Sequence, residues 1–80
     1  MARELGDEEI ADAFLAHLRK TGLEGMHYGD FWRVLQADGL RVEGRNPKVQ
    51  RDRVYRLLSN DSRVEKSAPG YFTSRDVKST

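Results

Sequence analysis

Eighty residues, no cysteine and a net charge of +1 describe one small domain that must be held together by apolar packing alone. A disulfide framework and a thiolate metal centre are excluded, and no apolar run nears the roughly 20 residues of a membrane-spanning helix. A charged fraction of 34% means a heavily solvated surface of both signs, beneath which Phe14, Phe31, Trp32, Phe72 and three tyrosines supply bulk.

In chain order, residues 1–6 read as a flexible N-terminus, and Met1-Ala2-Arg3-Glu4 lacks the layout of a secretory signal. The expected location is intracellular: the cytoplasm, with the nucleoid in a bacterium, or the nucleus in a eukaryote. Ile10, Ala13, Phe14, His17 and Leu18 share one helical face and predict a first helix over 7–21. Asp7, Glu8 and Glu9 lead it, Arg19 and Lys20 close it, and each sign suits its end of the helix dipole. Met26-His27-Tyr28 reads as a short strand. Asp30 opens a second helix over 29–38 through Phe31, Trp32, Val34 and Leu35, with Trp32 in the core. Residues 40–45 read as a polar loop. Asn46-Pro47 pairs an N-cap with proline at the first helical position and predicts a third helix over 47–59, buried through Val49, Val54, Leu57 and Leu58.

The tail changes period. Arg63–Lys66 and Gly70–Thr73 are β-prone runs separated by Ser67-Ala68-Pro69-Gly70, which predicts a hairpin. Residues 75–80 read as a flexible tail or the start of a linker. Helix, strand, helix, helix, hairpin over 7–74 is the order of an α+β, mainly helical domain: a winged helix-turn-helix with a small β-hairpin wing. A three-helix bundle with a loose tail is the competing architecture.

Charge is unevenly distributed. Between Arg41 and Arg56 lie six basic residues against Glu43 and Asp52, a net of +4, whereas residues 1–20 carry a net of −2. With Val54, Leu57 and Leu58 inward, the outer face of the third helix collects Lys48, Arg51, Asp52, Tyr55, Arg56 and Ser59. Gln50 and Arg53 lie nearer the core edge. In a helix-turn-helix this helix enters the major groove of duplex DNA, and its N-terminal half meets base edges. Lys48, Arg51 and Asp52 stand in that half, and arginine pairs bidentately with guanine. Asp52 repels phosphate, although it suits a cytosine amino group. Arg41, Arg45 and Asn46 precede the helix, and the two arginines suit phosphates. Arg63 and Lys66 on the wing, with Arg75 beyond it, suit the flanking backbone. The plainer account is a solvated face laced by Lys48–Asp52 and Asp52–Arg56 pairs, each contributing about 0.3–0.5 kcal/mol.

Other polar features carry no chemistry. His17 reads as a partly buried structural histidine. Two histidines ten residues apart form no zinc site. The acids at the first helix start suit capping better than metal binding. No phosphate-cradling glycine loop and no nucleophile triad is present, so neither enzyme activity nor a cofactor is expected. Tyr28 and Tyr71 are expected to close the core, and Tyr55 to be the exposed aromatic.

Gly25-Met26-His27-Tyr28-Gly29-Asp30-Phe31 resembles the entry into the second helix of the HARE-HTH winged-helix family. Asn46-Pro47 and Val54-Tyr55 resemble that family's third helix, and residues 63–72 its wing. Pro69 departs from the family's glycine-rich turn, and several outer positions of the third helix are arginine in place of small or apolar residues. The resemblance spans about residues 8–73 and implies a DNA-binding or transcription-associated module, not catalysis. It also implies membership of a larger polypeptide, such as a DNA-processing nuclease. A protein-interaction role, with the acidic first helix and aromatic second helix docking onto a polymerase or another domain, is the alternative.

Overall fold

The computed structural model describes residues 3–75. Its elements are β1 (Arg3–Leu5), α1 (Asp7–Thr21), β2 (Gly25–His27), α2 (Tyr28–Ala37), β3 (Leu40–Val42), α3 (Pro47–Asn60), β4 (Val64–Ala68) and β5 (Tyr71–Ser74). The chain is thus a small, mainly helical α+β domain with three helices and a three-stranded antiparallel sheet. No helix among the described residues is long and apolar enough to cross a membrane. The tail expected over 75–80 lies, apart from Arg75, outside the described residues.

α1 forms where its apolar spacing predicts and buries Ile10, Ala11, Phe14 and Leu18. Glu9 Oε1 accepts from the Gly6 N–H at 3.2 Å, and Gly22 N–H closes the other end on Leu18 O. α2 begins one residue before its expected start because of His27. The His27 imidazole Nδ1 accepts the Gly29 N–H at 3.0 Å, so a ring serves as N-cap where a short polar side chain is usual. Phe31 and Leu35 carry the buried stripe of α2, and Phe31 meets Phe14 edge-to-face with centroids 5.1 Å apart. Asn46 Oδ1 accepts the Val49 N–H at 2.9 Å and Pro47 takes the first turn of α3, as its sequence requires.

β5 lies between β2 and β4, antiparallel to both. The hairpin turns at Gly70, whose φ of 81° suits glycine, and a Cβ there would stand 2.7 Å from His27 Nε2. Gly25 is required for a different reason. A Cβ at that position would meet Phe72 O at 2.5 Å, so only glycine lets β2 approach β5 this closely. Phe72 projects from β5 into the core formed with Val54, Leu58, Phe14 and Phe31.

Two expectations are corrected. Arg3–Leu5, expected to be loose, pairs in parallel with Leu40–Val42, expected to be loop, and Leu5 stands opposite Val42. Both of those side chains are buried in the core, which is what fixes the pair. Trp32 is half-buried, because its indole Nε1 donates to Gln50 Oε1 at 3.1 Å near the surface.

Candidate nucleic-acid interface

The lead-in to α3 and the outer face of that helix form one surface. The lead-in is held by a relay. Trp32 on α2 donates to Gln50 on α3, and Gln50 Nε2 donates to Gly44 O at 3.1 Å. The loop that presents Arg45 and Asn46 is thereby fastened to both helices.

Arg41, Arg45, Lys48, Asp52 and Arg56 are exposed. None of the four cations has an ion-pair partner among the described residues. Asp52 forms neither of the i,i+4 pairs expected with Lys48 and Arg56. The other arginines differ. Arg53, whose side chain is 24% exposed, bridges Asp7 of α1 and Glu43, the latter at 3.6 Å. Arg3 pairs with Glu9. Arg63 pairs with Asp12 at 2.7 Å and with Asp61 at 3.1 Å. Three acidic residues of α1 are thus paired with arginines from elsewhere, and the cations without an ion pair among the described residues include four at α3 and its lead-in and Arg19 and Lys20 at the end of α1.

The remaining candidate residues are not on that outer face. Arg51 is half-buried on its flank, with its guanidinium 5.5 Å from the Trp32 ring centroid, a cation–π distance. Tyr55 was expected to be exposed and is instead half-buried. Its ring meets Tyr28 at 5.1 Å and Phe72 at 5.5 Å, both edge-to-face. Its hydroxyl accepts from Lys66 Nζ at 2.7 Å. The exposed aromatic is Tyr71, at 49%, which was expected to close the core. Asn46 spends its carbonyl oxygen on capping. His17 is half-buried, tilted against Phe31 with centroids 6.5 Å apart. No three potential metal-ligating side chains come together among the described residues.

Val49 was missed. It was expected in the buried stripe, yet it is 41% exposed and lies on the outer face with Asp52 and Arg56. Five residues from Val54 at about 100° each put it roughly 140° round the helix from the core. Together with Glu43, Gly44, Asp52, Arg53 and Arg56 it lines an open concavity of about 300 Å3.

The Asp61–Arg63 pair has a consequence for pH. The Arg63 side chain, hydrogen-bonded to Asp61, holds that carboxyl below the ordinary 3.8, against a smaller opposing effect of burial. The same bond, joined by that of Asp12, raises Arg63. A lowered carboxyl stabilises the fold above its unfolded value, and this is lost as pH falls through its folded value. The stability gap between wild type and Asp61→Asn should therefore be full at pH 7 and shrink below pH about 4 in thermal melts. A gap independent of pH would mean that the charge of Asp61 contributes nothing.

No family model, curated protein or solved structure matches this chain.

Proposed function

We propose that the chain is a winged-helix module that binds duplex DNA and has no catalytic activity of its own. In this reading α3 enters the major groove, the β4–β5 hairpin is the wing and follows the backbone, and the module acts in transcription or targets a larger DNA-processing protein. The observation that carries the reading is the division among the basic residues. Arg3, Arg53 and Arg63 are neutralised within the fold, whereas Arg41, Arg45, Lys48 and Arg56, all on α3 or the strand and loop that lead into it, are exposed with no ion-pair partner among the described residues.

Two further points support it. The antiparallel sheet order β2-β5-β4, with β4 in contact with α3, suits a wing packed beside that helix. The stretches resembling the HARE-HTH family supply the caps and turns of the fold: His27 caps α2, Asn46 caps α3 and Gly70 turns the hairpin. One feature sets it apart from the simplest helix-turn-helix. Residues 38–46 join α2 to α3 and contain β3, where that motif uses a turn of three or four residues.

Four phosphate contacts release about 0.9 counterions each, so log K should fall against log salt with a slope near −3.6. Fluorescence anisotropy of a labelled random-sequence duplex checks this. Between about 50 and 200 mM salt the affinity should drop roughly 10²-fold. No binding at 50 mM, or binding indifferent to salt, would reject the reading.

A protein-docking reading has one observation in its favour. Leu23 is 45% exposed beside a concavity of about 280 Å3 that Leu15 and Leu18 also line. It is the weaker reading, because three of the α1 acids that would attract a basic partner are already paired internally.

A further inference from the structure

Two residues of the α3 outer face are not explained by attraction to phosphate. Val49 is 41% exposed although the helix has buried positions at Val54 and Leu58. Asp52 is exposed between Lys48 and Arg56, four residues from each, and pairs with neither among the described residues. Both line the same open concavity.

A carboxylate facing DNA is repelled by phosphates. In the major groove it accepts a hydrogen bond from cytosine N4, and an apolar side chain there meets the thymine methyl. Residues three apart are separated by about 4.5 Å along a helix axis. Successive bases of one strand are separated by about 3.4 Å. On the helix surface such side chains stand about 5–6 Å apart at Cβ, close enough to reach neighbouring bases.

We infer that Val49 and Asp52 read sequence for this domain. Val49 takes a thymine methyl and Asp52 a neighbouring cytosine amino group on the same strand, while the cations around them mainly supply affinity. The ligand is then a duplex containing a thymine–cytosine step. This rests on the DNA-binding reading above and deepens it.

The test is selection from a pool of randomised duplexes by the wild-type chain, Asp52→Ala and Asp52→Asn. Both variants alter an exposed side chain and leave the core intact. Sites selected by the wild type should carry cytosine beside thymine, with discrimination at the cytosine on the order of tenfold. Asp52→Ala should lose that preference yet bind a random-sequence duplex more tightly, because a charge opposing phosphates is gone. Asp52→Asn should move the preference from cytosine to adenine, whose N6 and N7 match an amide. Sites without cytosine enrichment, or a cytosine preference that survives in Asp52→Ala, would overturn the inference while leaving DNA binding intact. A wild-type chain that retains no duplex would overturn both.

Discussion

Replacing Lys48 and Arg56 together by alanine is expected to weaken duplex binding about 10²-fold near 50 mM salt. The salt slope should flatten by about 1.8, the share of two phosphate contacts. Both side chains are exposed, and neither has an ion-pair partner among the described residues. Their removal costs the fold little, within about 0.5 kcal/mol for surface positions of this kind. Arg53→Ala is the informative contrast. Arg53 ties α3 to Asp7 and Glu43 and is mostly covered, so its loss should lower the melting temperature and leave the slope nearly unchanged. Anisotropy titrations over a salt series, with melts of the same samples, separate the two outcomes. Equal slopes for wild type and the double variant would remove α3 from the interface.

The largest effect on stability is expected from Phe31→Ala. Phe31 is completely buried, and its ring on α2 stands edge-on to Phe14 of α1. Truncating such a residue costs about 3–5 kcal/mol, transfer and cavity together. At about 0.05–0.15 kcal/mol per residue, an 80-residue domain has roughly 4–12 kcal/mol in all. The variant should melt about 15–30 °C lower, or lose its cooperative transition. Circular dichroism melts decide the matter. A loss below about 1 kcal/mol would mean that the Phe14–Phe31 pair is not central to the core.

The helices were legible because their signals are local. α1 occupies the span its apolar face and dipole charges predict, and α3 starts on its Asn-Pro cap. The start of α2 at Tyr28 was not legible, because it depends on an imidazole ring turning back to a glycine amide. The β1–β3 pair was hidden for another reason. Each strand has three residues with one fully buried side chain, too few for any period, and the two are brought together only by a core formed from distant segments. The candidate interface follows the same division. The position of the cations along the chain was plain. Which of them stand free was not, because Arg63 is neutralised by Asp12 from 51 residues away and Arg51 lies over Trp32. Val49 was misjudged by counting it with Val54 in one stripe.

The most direct test of the central claim is an amide NMR titration of the chain with duplex DNA at low salt. The account predicts shifts confined to the lead-in and first three turns of α3, from Arg41 to Arg56, with weaker ones near Lys66. The first turn of α1, where Asp7 pairs with Arg53 and Glu9 with Arg3, should stay still. Silent α3 amides, or shifts centred on Leu15 to Leu23, would contradict it.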